Sequence, residues 1–238
     1  MKPALIITHL EDRDAGLVSE ALAAASCPMI TRHPDDAQPL PAVDEISGIV
    51  SMGGNQSATR AGRDPFLRSE VGLMADALAG GVPVLGMCLG AQLLAVAGGG
   101  GVSTMERMYA GWPELTPLPA RREDPLWRAL PPRLRVLKWH EDVIDLPRRA
   151  TALAATPGPG ASLFRIGPAA WGSQVHFEAT PAMLFDAWLA EDDGVAQIEA
   201  AGHDIDAFRA RSAELLPVQM SAARPVFAAF AQLVVGRA

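Results

Sequence analysis

The chain has 238 residues, of which 49% are hydrophobic, so it can bury a substantial core. Its 20 basic and 27 acidic residues give a formal charge of −7, and no Lys/Arg cluster interleaves with aromatic residues, which argues against a nucleic-acid partner. The first apolar run is too short for a signal peptide, and no later stretch reaches the ~18 uncharged apolar residues that span a bilayer. We therefore expect a soluble, cytoplasmic protein that does not bind membranes.

The first hundred residues alternate short apolar runs with helical patterns. The runs "ALIITHL", "ISGIVSM" and "VPVLGM" are each followed by a segment with apolar residues at helical spacing. This alternation predicts a parallel sheet with crossover helices. We therefore expect an α/β fold of three layers, flavodoxin-like, with a mostly parallel sheet and helices on both of its faces.

The pattern changes after the first hundred residues. From Val102 to His176 the segments are shorter and rich in Pro and Gly, and they predict additional strands, some of them antiparallel. From Thr180 onward, "PAMLFDAWLAE", "DIDAFRARSAELL" and "ARPVFAAFAQLVV" each predict a helix. No linker long or polar enough to separate two domains is present, so residues 1–238 are expected to form a single domain.

Cys88 lies where the predicted strand "VPVLGM" gives way to a predicted helix. Gly86 and Gly90 permit the tight turn that holds a nucleophile clear of a sheet, and a helix N-terminus lowers the pKa of a thiol. These surroundings favour a nucleophile over the alternative, a buried core thiol. For Cys27, which lacks such neighbours, we expect the core thiol.

A cysteine nucleophile needs a histidine that a third group orients. Of the five histidines, we take His176 as the candidate, because Glu178 lies at strand spacing from it and Glu178 and Gln174 share its face of a predicted strand. An α/β-hydrolase places the acid well before the histidine, which excludes that class here. The spacings of the histidines and cysteines match no zinc pattern, so no metal site is expected.

A glycine-rich segment, "GGNQSATR", follows the predicted strand "ISGIVSM". Gly53 and Gly54 would let the backbone approach a substrate closely. Thioester chemistry passes through an oxyanion that needs backbone donors, and the N–H groups of Gly54 and Leu89 are the candidates for this oxyanion hole. An ordinary turn at a strand end is the alternative.

Four segments in this order resemble the class I glutamine amidotransferase family, particularly stand-alone members similar to the glutaminase domain of GMP synthase. "GMCLGAQLLA" resembles the nucleophile motif, "VSMGGNQS" the oxyanion loop and "SQVHFEAT" the late His-x-Glu motif. "WHEDVIDLP", residues 139–147, resembles a segment common in the stand-alone members. The resemblance covers nearly the whole chain.

The resemblance implies a Cys-His-Glu triad. Cys88 would attack the side-chain amide of glutamine to give a γ-glutamyl thioester, His176 would transfer protons, and Glu178 would orient His176. The substrate-binding residues that the resemblance implies are Gly53, Gln92, His140 and Asp142. On physical grounds, His140 and Asp142 fit a capping pair at a strand end equally well.

The sequence departs from the family pattern at three places. Asn55 stands where proline commonly follows the paired glycines, and Phe177 replaces the proline of the late motif, pointing away from the catalytic pair. "GGGGVSTM" replaces the usual glycine pair and lysine, which predicts a flexible connection near the crevice.

The leading interpretation is an enzyme without a cofactor that hydrolyses glutamine, either alone or as the subunit that supplies ammonia to a separate synthetase. The first alternative is a hydrolase of another γ-glutamyl amide or peptide with the same triad, motivated by Asn55 and the glycines at 98–101. The second, from another class, is a binding or regulatory protein on the same fold, although no triad member is lost. The motifs do not specify the leaving amine, the partner or the oligomeric state.

Overall fold

The computed structural model describes residues 1–36 and 38–237. Its strands are β1 (Ala4–Ile7), β2 (Met29–Arg32), β3 (Gly48–Ser51), β4 (Val84–Met87), β5 (Gly101–Gly111), β6 (Thr116–Pro117), β7 (Lys138–Asp145), β8 (Ala150–Ala155), β9 (Leu163–Ile166) and β10 (Ala170–Ser173). Its α-helices are α1 (Gly16–Ala24), α2 (Pro65–Gly80), α3 (Leu89–Ala97), α4 (Asp192–Ala200) and α5 (Ile205–Val235). A π-helix covers Ala182–Trp188, and short 3₁₀ turns cover Val43–Glu45, Ala58–Arg60, Pro119–Glu123 and Trp127–Ala129.

Eight strands form one mixed sheet in the order β2-β1-β3-β4-β10-β9-β8-β6. The first five of these run parallel to one another, and β9, β8 and β6 extend the sheet with antiparallel pairings. Strands β5 and β7 form a separate antiparallel pair. The predicted α/β fold, with its mostly parallel sheet and added antiparallel strands, is confirmed.

Both faces of the sheet are covered, as the continuous apolar runs of the central strands require. Side chains alternate along β1: Ala4 and Ile6 pack into one core cluster with residues of α1 and α5, whereas Leu5 and Ile7 pack into another with residues of α2 and α3. All four are at most 4% exposed. The helices thus form an outer layer on each side of the sheet.

The C-terminal part differs from the sequence prediction in two ways. The two helices predicted after Gly202 are one helix, α5, which continues through Pro217 and Pro225 with both prolines on its solvent side. The segment predicted as the preceding α-helix is a π-helix, and just after it the Leu189 N–H donates to the carbonyl of Leu184 five residues earlier. Tertiary packing of α5 overrides the helix-breaking tendency of proline.

Helix α5 is long and apolar enough to cross a membrane by length and composition alone. Its apolar face is however part of the protein core, where Phe227, Phe230 and Val234 are completely buried. A core helix passes the same compositional test, and the buried face accounts for its hydropathy.

Candidate active site

Cys88 occupies a sharp turn between β4 and α3. Its backbone has φ 47° and ψ −104°, a conformation that residues other than glycine rarely adopt. The Cys88 N–H donates to the Ser173 carbonyl of β10 at 2.7 Å, which fastens the turn to the neighbouring strand. A strained residue at a strand-to-helix turn is the geometry that holds a nucleophile above an α/β sheet.

Close packing around this turn requires glycine at positions 86 and 90. A Cβ on Gly86 would lie 2.7 Å from the backbone nitrogen of Ala91, and a Cβ on Gly90 would overlap the backbone carbonyl of Ser51. The start of α3 therefore lies directly against β3 and β4. The flanking glycines let Cys88 stand at the carboxyl ends of the parallel strands.

His176 and Glu178 form a buried pair beside the cysteine. His176 Nδ1 lies 2.8 Å from Glu178 Oε1, and the Glu178 residue is 1% exposed. The prediction that both residues belong to a strand is wrong, because β10 ends at Ser173 and the Ser173 hydroxyl donates to the Val175 carbonyl, which bends the chain. Phe177 is completely buried and packs against Trp127, with ring centroids 5.3 Å apart.

The backbone carbonyl of Trp139 joins the cysteine to the histidine. It lies 3.3 Å from His176 Nε2 and 3.7 Å from the sulfur of Cys88. The side-chain amide of Gln174 approaches the same sulfur at 3.6 Å. A Cβ on Gly53 would lie 3.2 Å from the His176 ring and 3.5 Å from Cys88 Cβ, so Gly53 lies beside both residues and a larger residue would crowd them.

The charges around His176 favour its protonated form. Burial acts to lower the pKa of His176, but the negative charges of Glu178 and of the Cys88 thiolate outweigh burial and hold this pKa well above its ordinary value. The arrangement therefore favours an imidazolium at His176, beside Cys88.

The two predicted oxyanion donors lie at the cavity next to Cys88. The N–H of Gly90 donates to the Met52 carbonyl at 3.2 Å, but within residues 1–36 and 38–237 neither the Gly54 N–H nor the Leu89 N–H has a hydrogen-bond acceptor. Leu89 is the first residue of α3, where backbone N–H groups have no partner inside the helix. Both donors are therefore available to a ligand.

One cavity of about 430 Å³ brings the predicted site together. The predicted site residues that line it are Gly53, Gly54, Cys88, Leu89, Gln92, His140, Asp142, His176 and Glu178. The glycines at 98–101 do not line it. Instead, a Cβ on Gly98 would lie 2.7 Å from Ile166 Cδ1, and one on Gly100 would overlap the Asp145 carbonyl, so these two glycines allow tight packing after α3.

His140 and Asp142 lie within β7 and are not a capping pair at its end. His140 Nδ1 donates to the Asp142 backbone carbonyl at 2.8 Å. The Asp142 carboxylate accepts from Ser57 and Thr104, each at 2.7 Å, and so ties the loop after β3 to the β5–β7 pair. Burial and the nearby charge of Lys138 lower the pKa of His140 to about 4, which keeps its ring neutral.

Sequence reasoning missed a second histidine–carboxylate pair, of which His9 lines the same cavity and Glu70 is buried behind it. His9 Nε2 lies 2.9 Å from Glu70 Oε2, the Ser51 hydroxyl donates to Glu70 Oε1 at 2.6 Å, and the His9 Cβ lies against Gly54. Glu70 lies on α2, far from His9 in sequence. A signal was present, because Glu70 follows Leu67 at helical spacing and so occupies the apolar face of its helix.

Comparison with known proteins agrees with this fold and site. The model of the family described as glutamine amidotransferase class-I matches residues 17–191. The chain therefore belongs to the class I glutamine amidotransferase family, and the predicted family resemblance is confirmed.

Individual relatives point to the same family. The chain is 32% identical over 143 residues to the glutamine amidotransferase-like protein YfeJ of Salmonella typhimurium (59% of this chain, 60% of that protein). It is 33% identical over 145 residues to a glutamine-hydrolysing GMP synthase subunit from Natronomonas pharaonis (59% and 64%). The matches thus span about three fifths of these relatives. A crystal structure of a glutamine amidotransferase from Thermotoga maritima has a TM-score of 0.83 at 26% identity, covering 97% of this chain and 98% of that one.

Proposed function

We propose that this protein hydrolyses the side-chain amide of glutamine to glutamate and ammonia with Cys88, His176 and Glu178. The observation that carries the proposal is the meeting of a strained cysteine and a buried His–Glu pair at one cavity. Glu178 holds Nδ1 of His176, which leaves Nε2 on the side of Cys88.

The reaction follows from this geometry. The Cys88 thiolate attacks the γ-carbonyl carbon, and the N–H groups of Gly54 and Leu89 stabilise the oxyanion that forms. His176 donates its proton to the nitrogen, the C–N bond breaks, and ammonia leaves a γ-glutamyl thioester. His176 then takes a proton from water as the water attacks the thioester, and glutamate is released.

Other residues of the cavity would bind the glutamine. Gln92 is 3% exposed on α3, about one turn from Cys88, and Gly53 lies against both Cys88 and His176. His140 and Asp142 line the cavity from β7. We assign these residues to substrate binding.

The fate of the ammonia is a second part of the proposal. One relative is named as a component of GMP synthase, which supports a role in supplying ammonia to a separate synthetase partner. Release of ammonia by the protein alone is the other form of the same activity. We further infer that the whole chain acts as one catalytic domain.

Two assays test the proposal: glutamine hydrolysis, and covalent labelling by the glutamine analogue diazo-oxo-norleucine. The unmodified protein should release glutamate and be labelled at Cys88, and Cys88→Ala should lose both properties. His176→Ala should prevent thioester formation, whereas Cys27→Ala, which alters a core thiol, should leave the activity measurable. Labelling at Cys27, or undiminished turnover by Cys88→Ala, would contradict the proposed nucleophile.

A further inference from the structure

Glu70 is a completely buried carboxylate outside the proposed triad, and both of its oxygens have a partner. The Ser51 hydroxyl donates to Oε1 at 2.6 Å, and His9 Nε2 lies 2.9 Å from Oε2. Because a carboxylate only accepts hydrogen bonds, the proton of His9 lies on Nε2. Ser51 is the last residue of β3, and His9 follows the neighbouring strand β1. Glu70 therefore joins the carboxyl ends of two parallel strands from its position on α2.

The Ser51 side of this network lies against the start of α3. A Cβ on Gly90 would overlap both the carbonyl and the hydroxyl of Ser51, so Ser51 packs directly on the Gly90 backbone. The Gly90 N–H also donates to the carbonyl of Met52, the residue after Ser51, at 3.2 Å. Leu89, whose N–H is one of the two proposed oxyanion donors, immediately precedes Gly90. Ser51 is thus in contact with the turn that carries this donor.

The His9 side of the network lies against the other proposed donor. A Cβ on Gly54 would overlap His9 Cβ, so His9 packs directly on Gly54. The same Cβ would lie 3.1 Å from Leu89 Cδ2, which places the two donor residues next to each other. The Gln56 side-chain amide donates to the His9 backbone carbonyl at 3.4 Å and attaches the loop after β3 to His9. His9 thus contacts both the donor residue and the loop that carries it.

Stability alone does not explain a carboxylate at this position. Burying a charged group costs free energy, and apolar side chains of similar volume commonly give an equally stable core. What the Glu70 carboxylate provides is direction, since its two oxygens hold Ser51 and His9 at a fixed separation from a rigid helix. Donors that stabilise an oxyanion need such support, because they must lie within about 0.5 Å of the productive geometry before the reaction begins.

From these contacts we propose that Glu70 is a positioning residue for the oxyanion hole. It acts through Ser51 on the Leu89 N–H. It acts through His9 on the Gly54 N–H. The inference rests on the proposed function, because the oxyanion forms only in the proposed attack of the thiolate on the γ-carbonyl carbon. Glu70 does not line the cavity and exchanges no proton with the substrate.

Steady-state hydrolysis of glutamine by Glu70→Leu tests this role. Leucine fills a similar volume but accepts no hydrogen bond, so Ser51 and His9 lose their common partner. We expect kcat to fall by about 100-fold with KM within about twofold of the unmodified value, because misplaced donors weaken only transition-state binding. Alkylation of Cys88 by iodoacetamide, which forms no oxyanion, should keep its rate and its pH profile.

Two further variants separate positioning from folding. Glu70→Gln should keep kcat within about fivefold of the unmodified value, because its amide oxygen can accept from His9 while its amide N–H donates to the Ser51 hydroxyl. Ser51→Ala removes one of the two links and should lower kcat by about tenfold. This variant gives the same test if Glu70→Leu does not fold.

Asp124→Ala is the matched control, because it removes another buried carboxylate. Asp124 is 1% exposed and accepts from the backbone N–H groups of Leu126 and Trp127. It does not line the cavity. Its loss should lower the unfolding free energy, measured by urea unfolding, and leave kcat unchanged.

The outcomes separate this inference from the proposed function. Hydrolysis of glutamine with the same kcat in Glu70→Leu as in the unmodified protein would overturn the inference and leave the proposed function standing. An equal loss of Cys88 alkylation in Glu70→Leu, or an equal loss of kcat in Asp124→Ala, would also overturn it, because Glu70 would then only stabilise the fold. An unmodified protein that does not hydrolyse glutamine would contradict the proposed function, and this inference with it.

Discussion

Gly90 determines where Cys88 stands, since a Cβ at this position would overlap the Ser51 carbonyl. We expect Gly90→Ala to lower the unfolding free energy by about 1–3 kcal/mol, because the well-packed turn must shift, and to slow alkylation of Cys88. Gly72→Ala is the control: Gly72 is exposed inside α2 with open space around it, so alanine should stabilise the helix by about 0.5–1 kcal/mol. Urea unfolding measures both changes, and equal stability of the two variants would contradict the packing argument.

His140 should make the stability of the protein depend on pH. Its folded pKa of about 4 lies below the ordinary 6.5, so between these values the unfolded chain binds a proton that the native ring lacks. His140 alone should therefore lower the unfolding free energy by about 3 kcal/mol as the pH drops from 6.5 to 4.

Urea unfolding at pH 7 and pH 4.5 measures this contribution. In His140→Gln the unfolding free energy should differ less between the two pH values than in the unmodified protein. His203→Gln, which removes an exposed histidine, should leave that difference unchanged. The charged neighbours Lys138 and Asp142 are present in both variants. His176, with its raised pKa, acts in the other direction and loses its contribution as the pH rises above 6.5. An unchanged pH dependence in His140→Gln would contradict the prediction.

At the residue scale, the sequence was enough to group Cys88, His176 and Glu178. Each of them lies in a short motif whose neighbouring residues suit its proposed role. The pair of His9 and Glu70 escaped it, because its two members come from separate elements and meet only through the tertiary fold. The roles of all these residues stay predictions that the experiments above test.

Helix α5 positions the backbone of His176 through a single buried side chain. Gln219 is completely buried, accepts from the Leu137 N–H at 2.7 Å, and donates to the His176 carbonyl at 2.8 Å. Gln219→Met would leave both backbone groups unsatisfied, which costs about 1–3 kcal/mol each, and would let His176 shift.

The expected result of Gln219→Met is a slower alkylation of Cys88 whose pH profile is displaced, since the thiolate depends on His176. Gln232→Met, at an exposed position on the same helix, is the control. A variant that is destabilised but keeps the wild-type pH profile would show that Gln219 only stabilises the fold.

At the scale of elements, the alternation of apolar runs and helical patterns predicted the strands and helices of the first hundred residues. The sequence could not show that β10 ends before His176, because the chain bends where the Ser173 hydroxyl donates a hydrogen bond to the Val175 carbonyl. It also could not show that α5 continues through Pro217 and Pro225, since the packing of the rest of the helix compensates for their missing N–H groups.

The two cysteines should differ in their reactivity toward alkylating reagents in the native protein. Cys27 is 4% exposed inside a core cluster, whereas Cys88 lines the cavity. Iodoacetamide should therefore modify only Cys88 in the native protein and both cysteines in denaturant, as measured by mass spectrometry of peptides. Cys88→Ser should show no rapid modification in the native state. Fast native labelling of Cys27 would indicate that its core opens easily.

At the scale of the whole molecule, the fold class followed from the sequence but the order of the strands did not. Strand β10 lies beside β4, although about eighty residues separate them along the chain, and this pairing brings His176 to Cys88. Such long-range pairing depends on the global packing of the sheet rather than on local patterns. That residues 1–238 act as a single domain stays a prediction.

The positive φ of Cys88 lowers the stability of the fold at the residue whose thiol we propose to be reactive. Holding a residue other than glycine in such a conformation costs about 1–3 kcal/mol, which the surrounding packing must offset. Glycine would relax the turn, but it has no thiol. Selection for a more stable fold alone would therefore favour glycine here, so a cysteine at this position is expected only where its thiol has a use.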